Sequence, residues 1–265
     1  MVGSLRRGGE SETGEIVRME RRIRMIVEYD GTNYAGWQRQ TNALAVQQVV
    51  ETALTKLTRT PVTVTGASRT DAGVHALGQT VHFDTESRIP ADKFAFALNT
   101  LLPPDVRIRR SEEAPAGFHA RFSARGKRYR YLIYESPHAG ALNRLTHAHT
   151  IYKLDDGLMR AEAEALVGTH DFAAFAASGS VVKDTVRTIY SARLERRGEE
   201  IELTVEGNGF LYNMVRIIAG TLISVGAGKL EPGAIRRAIE TGDRLSLGVT
   251  APAHGLTLME VYYDE

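Results

Sequence analysis

From Ile23 to Tyr29 the chain reads IRMIVEY, a β-type run closed by the turn pair Asp30-Gly31. Over Val46–Leu57, apolar residues recur at helical spacing (Val46, Val49, Val50, Ala53, Leu54, Leu57), and Pro61 stops the helix. Short strands are expected at Val62–Thr65 and Thr80–Asp84. Pro90 opens a second helix over residues 91–102, Pro103-Pro104 ends it, and Val106–Arg110 reads as a fourth strand. The predicted order is β-α-β-β-α-β.

The second part of the chain repeats that order. Arg128–Tyr134 reads as a strand, and Asp155–Val167 as a helix with an acidic start and Gly168 at its end. Ile189–Arg196 and Ile201–Gly207 form a hairpin pattern around Gly198. Helices over Phe210–Val225 and Pro232–Glu240 and a last strand over Leu256–Tyr263 follow. The expected fold class is α+β, with two ferredoxin-like β-α-β-β-α-β halves whose antiparallel sheets join around a central cleft. Residues 23–114 and 115–265 are the two expected halves, and residues 1–22, rich in Gly, Ser, Glu and Arg, read as a disordered lead-in.

Composition narrows the function classes. The 265 residues carry 33 Lys and Arg against 32 Asp and Glu, a formal net charge of +1. A nucleic-acid binder with so little net charge must gather its basic groups on one face. There is no cysteine, hence no disulfide and no thiolate metal site, which fits a reducing compartment. No apolar run approaches the roughly 20 residues that span a bilayer, and the N-terminus lacks the apolar stretch of a secretory signal. A cytoplasmic protein is expected.

Three segments can carry chemistry. Gly66–His75, GASRTDAGVH, sets Ser, Arg, Thr and Asp side by side between glycines; by local composition alone it reads first as a turn. Gly207–Gly220, GNGFLYNMVRIIAG, places Arg216 beside the apolar helical stripe Leu211, Val215, Ile218 and Leu222. That arginine either snorkels to solvent or pairs with a carboxylate. Ala120–Tyr134, ARFSARGKRYRYLIY, interleaves basic and aromatic residues. Strand alternation puts Lys127, Tyr129, Tyr131 and Ile133 on one face, and Arg128, Arg130, Leu132 and Tyr134 on the other. The pattern suits single-stranded RNA, or an ordinary strand with an aromatic core face and a solvated basic edge. His147 and His149 form H-A-H with no neighbouring carboxylate or cysteine to complete a ligand set, so no metal site is expected.

Together these segments resemble the TruA family of tRNA pseudouridine synthases. EYDGTNYAGWQRQ (Glu28–Gln40), GQTVHFDT (Gly78–Thr85), FHARFSARGKRYRY (Phe118–Tyr131), DTVRTI (Asp184–Ile189) and APAHGLTLMEV (Ala251–Val261) extend the likeness from about Arg24 to Tyr263. The resemblance implies the pseudouridine synthase fold, no cofactor, a homodimer, and a tRNA substrate crossing both subunits. It implies isomerisation of uridines 38, 39 and 40 in the anticodon stem-loop. It places Asp71 as the catalytic aspartate, Arg216 as its partner, and Tyr129 against the target uracil. Arg69 would help hold the opened RNA, and Leu256 would line the base pocket. Two residues depart from the family pattern: Ser68, where glycine is more usual, and Thr257, where an aromatic is common.

Pseudouridine formation breaks the N1–C1′ bond, turns the base, and joins C5 to C1′. A carboxylate can act as nucleophile or stabilise positive charge at C1′, and abstraction of a C2′ proton is a third route. The target must leave its stack, at a cost of a few kcal/mol. Base–aromatic stacking, worth roughly 1–3 kcal/mol, offsets part of that. Phosphate contacts are expected from Arg39, Arg121, Arg125, Lys127, Arg128 and Arg187. Two other readings compete. A non-catalytic RNA-binding module gives Asp71 no purpose, and a glycoside- or nucleoside-cleaving hydrolase needs a second acid, for which Asp84 and Glu28 are the candidates.

Overall fold

The computed structural model describes residues 20–177 and 184–264. In chain order the elements begin with strand β1 (Arg21–Tyr29), helix α1 (Val46–Thr58), the short β2 (Thr65–Gly66), β3 (His75–Thr85), α2 (Phe94–Asn99) and β4 (Val106–Ala114). They continue with β5 (Ala124–Glu135), β6 (Ala148–Thr150), α3 (Asp156–Glu164), β7 (Gly168–Asp171), β8 (Val186–Arg197), β9 (Glu200–Gly207), α4 (Met214–Gly226), α5 (Ala234–Thr241) and β10 (Leu256–Tyr263).

Ten strands form one sheet in the order β4-β1-β3-β10-β5-β9-β8-β7, with β2 on β3 and β6 on β5. The pairings are antiparallel except β10 with β3 and β6 with β5. The fold is mixed α/β on a mostly antiparallel sheet. The C-terminal strand sits in the middle: Leu256–Leu258 pairs with Tyr129–Tyr131 on one side, and Thr257 and Leu258 pair with His75 and Ala76 on the other. That insertion brings the start of β3 beside β5, which no adjacency in sequence would do.

Alternation decides the core face. Ile23, Met25 and Val27 of β1 are wholly buried, as are Tyr131 and Ile133 of β5 and Ile201, Leu203 and Val205 of β9. Helix α3 starts where the acidic residues placed it, with the Asp155 carboxylate accepting the Leu158 N–H at 3.0 Å.

Several boundaries differ from the sequence expectation. Strand β1 begins at Arg21, inside the segment read as lead-in, because Arg22 pairs across the sheet with both Asp84 and Ala114; residues 1–19 of that segment lie outside the described residues. The strand expected at Val62–Thr65 is only Thr65–Gly66. The helix expected over 91–102 is a 3₁₀ turn at Ala91–Lys93 followed by six α-helical residues. Helix α4 starts at Met214 rather than Phe210, because Asn213 takes a left-handed conformation at φ 60°. Strands β6 and β7 were not expected.

Candidate active site

Residues 67–74 connect β2 to β3 and carry Asp71. Their backbone is held at nearly every step. The buried Gln79 side chain accepts the Ser68 N–H at 3.1 Å and donates to the Ser68 carbonyl at 2.6 Å, as a neighbouring strand would. Thr70 O accepts from Trp37 N at 3.1 Å, and the Thr70 hydroxyl meets the Tyr29 hydroxyl at 2.7 Å. Val74 N donates back to Asp71 O at 3.1 Å, closing the turn. Gly36, at φ 88°, passes so close to Thr70 O and the Asp71 backbone that no Cβ fits. Gly36 therefore serves close approach, Gly73 supplies a left-handed turn at φ 79°, and a fixed loop aims the carboxylate.

Arg216 reaches Asp71 from α4. Its Nη1 lies 3.2 Å from Asp71 Oδ2 and 2.7 Å from Asn213 Oδ1, and its Nε donates to Ala251 O at 2.8 Å. Three acceptors on three segments thus fix one guanidinium. Both partners are mostly buried, at 18% and 16% side-chain exposure, so the pair is not a screened surface contact. Burial raises the Asp71 carboxyl above the ordinary carboxylate value, and Arg216 opposes that rise without cancelling it.

Asp71 opens into a cavity of about 840 Å³. Tyr129 and Leu256 line it, and Phe210 packs edge-on against Tyr129 with ring centroids 5.1 Å apart. Burial pushes the Tyr129 hydroxyl up to about 12, so the ring stays neutral. Arg69, Arg121 and Lys127 also line the cavity, whereas Asp71 is its only acidic lining residue among the described residues. Lys127 Nζ donates to Ala67 O at 2.9 Å, and burial lowers its ammonium to about 8.

The sequence profile of the tRNA pseudouridine synthases matches residues 25–123 and 163–264. Over 92% of this chain and 100% of theirs, tRNA pseudouridine synthase A of Ruminiclostridium cellulolyticum is 54% identical and that of Acetivibrio thermocellus is 52% identical. The chain belongs to the tRNA pseudouridine synthase family. A solved Cbf5-Nop10-Gar1 complex aligns with 91% of this chain and 50% of its own at a TM-score of 0.40 and 12% identity, too remote to bear on the site.

In this family member the candidate residues do not all converge. Asp71, Tyr129, Leu256, Arg69, Arg121 and Lys127 line one cavity, with Arg216 behind Asp71. Arg128 does not join them. Its neighbours on β5 alternate, so it points to the opposite sheet face and pairs there with Glu260 at 2.6 Å and Glu206 at 3.7 Å. Arg39 turns to Glu51 at 3.0 Å and Arg125 to Asp264 at 2.6 Å, and neither lines the cavity. Arg187, also outside the lining, binds the carbonyls of Asp184 and Val186. The two candidate second acids are elsewhere too: Asp84 pairs with Arg22 at 2.6 Å and Glu28 with Arg109 at 3.0 Å.

Sequence reasoning missed Gln79, Asn213 and Phe210. Gln79 and Asn213 work on the backbone and on another side chain, and neither job has a periodicity to read. The nearest signal for Asn213 is the residue type itself, since asparagine tolerates the left-handed region better than other non-glycine residues. The H-A-H pair is used for hydrogen bonds: His147 Nε2 lies 2.9 Å from Glu200 Oε2 and His149 Nε2 lies 2.8 Å from Ser136 O.

Proposed function

We propose that this chain isomerises uridine to pseudouridine in tRNA, at positions 38, 39 and 40 of the anticodon stem-loop, with Asp71 as the catalytic carboxylate. The observation that carries the reading is a lone acid, paired with Arg216, in a cavity whose described lining includes Arg69, Arg121, Lys127 and the ring of Tyr129. A binding module for a polyanion gains nothing from a buried carboxylate there. A two-acid hydrolase lacks its partner among the described lining residues.

In this account the target uridine swings out of its stack into the cavity and lies against Tyr129 and Leu256. The ionised Asp71 acts at C1′ as the N1–C1′ bond breaks. The detached uracil turns, C5 joins C1′, the C5 proton leaves, and N1 takes a proton. Arg216 keeps Asp71 charged against the desolvation of a bound base. Arg69 and Arg121 contact the opened RNA, with Lys127 adding a cation beside the Asp71 loop. Of the phosphate candidates, Arg39, Arg125 and Arg128 are the least well placed, since each is already paired with a carboxylate.

Two further parts of the reading concern assembly. The segments 23–114 and 115–265 act as duplicated ferredoxin-like halves, each supplying one side of the cleft. The enzyme works as a homodimer, with one tRNA touching both subunits. The test is incubation with unmodified tRNA and base-resolved mapping of pseudouridine. Conversion confined to positions 38–40 is expected; conversion in another stem, or none, overturns the site assignment.

A further inference from the structure

The mouth of the cavity holds a large apolar ring that neither Asp71 nor Tyr129 uses. Phe122 lines the cavity and is 77% exposed. Its position is nonetheless built. The His119 ring lies beneath it, with centroids 4.3 Å apart and 30° between planes, and His82 backs His119 at 4.9 Å. His119 Nδ1 accepts the backbone N–H groups of Arg121 at 3.1 Å and Phe122 at 3.2 Å, which fixes the imidazole under the phenyl ring. The turn is closed by Ser123 N on His119 O at 2.9 Å and by His119 N on the Ser123 hydroxyl at 3.0 Å. His119 thus supports one face of Phe122, while the side chain as a whole stays 77% exposed.

The charges around the exposed ring select its occupant. The Arg121 guanidinium stands 5.8 Å from the ring centroid, and Arg69 and Lys127 line the same cavity. A flat π-face attached to an anion suits this setting: the ring stacks and the arginine takes the phosphate. We propose that Phe122 is a stacking platform for an unpaired nucleobase adjoining the target uridine, with Arg121 on the neighbouring phosphate. This rests on the tRNA reading above and adds a second base-binding position outside the uracil pocket. Its consequence is a preference for targets whose neighbour can unstack, as in or beside a loop.

The test uses anticodon stem-loop RNA carrying 2-aminopurine at either nucleotide flanking the target, titrated with the full chain. Wild type is expected to quench one of the two probes on binding. Phe122→Ala abolishes that quenching and weakens binding about tenfold. Phe122→Trp preserves both, and Phe122→Leu behaves like the alanine variant, because it keeps apolar bulk without a π-face. Unchanged quenching and affinity in Phe122→Ala, or full function in Phe122→Leu, overturns the platform. Pseudouridine formation by wild type on the unlabelled stem-loop is measured in parallel. If wild type converts no uridine, the underlying reading fails; if it converts and Phe122→Ala binds equally well, the platform alone fails.

Discussion

Asp71 and Arg216 stand 145 residues apart in sequence, yet Arg216 Nη1 lies 3.2 Å from Asp71 Oδ2 at the back of the cavity. The carboxylate comes from the loop before β3 and the guanidinium from the first turn of α4. The pair makes the site sensitive to pH in a defined direction. Burial holds the Asp71 carboxyl above its ordinary value, so the acid limb of the rate profile lies above that of an exposed aspartate. The ionised form is present above that raised value and is lost as pH falls through it. Arg216→Ala removes the one influence that lowers it, so the limb moves to still higher pH. Losing a charge-assisted hydrogen bond worth about 2 kcal/mol lowers the neutral-pH rate roughly thirtyfold. A pH–kcat profile of both proteins checks this; an unmoved limb contradicts it.

Asn213 should separate backbone from side-chain effects. Its φ of 60° disfavours a residue with a Cβ, and its Oδ1 accepts from Arg216 at 2.7 Å. Both variants lose the bond to Arg216, and Asn213→Ala is expected to be about 1 kcal/mol less stable than Asn213→Gly, since only alanine strains the left-handed backbone. Both lose the amide that aims Arg216, so both are expected to lose activity and to share an upward shift of the acid limb. Thermal melts with pH–rate profiles distinguish the two contributions.

Much of the fold was legible because burial follows alternation. The IRMIVEY run became β1 with Ile23, Met25 and Val27 inside, and the two faces expected of β5 are the faces observed. The start of α4 was not legible, since Phe210–Asn213 continues an apolar helical pattern that one left-handed residue breaks. Strands β6 and β7 are three and four residues long, too short to show a period. The site was legible as segments and not as a constellation. Alternation said that Lys127 and Arg128 face opposite ways, but which of them shares the Asp71 cavity depends on β10 entering between β3 and β5. No local pattern encodes that insertion.

Lys127 gives a prediction of the other sign. Burial lowers its ammonium from 10.5 to about 8. The folded state therefore disfavours the charged form: the stability this group contributes is complete above 10.5 and is lost as pH falls through about 8. Lys127→Met removes that dependence, so its unfolding free energy changes less between pH 7 and pH 10 than that of wild type. The same variant is expected to bind tRNA more weakly, with the log–log salt slope reduced by about 1. Chemical denaturation at several pH values and salt-titrated binding check the two halves.

Gln79 is expected to act through the loop it clasps. Gln79→Leu leaves the Ser68 N–H and carbonyl without their buried partners, at about 1–3 kcal/mol of stability. Because the loop that aims Asp71 loosens, kcat should fall more than KM rises. A variant with wild-type kcat and an ordinary stability loss would show that the clasp does not position the carboxylate.

Asp71 itself offers the most direct measurement. Joining C5 to C1′ expels the hydrogen at C5, so tRNA transcribed with [5-³H]uridine releases tritium to water at each conversion. Under single-turnover conditions, with tRNA binding measured on the same samples, wild type is predicted to release tritium, and Asp71→Asn to bind tRNA while releasing it on the order of 10³-fold more slowly or not at all. Release by Asp71→Asn at the wild-type rate would contradict the assignment.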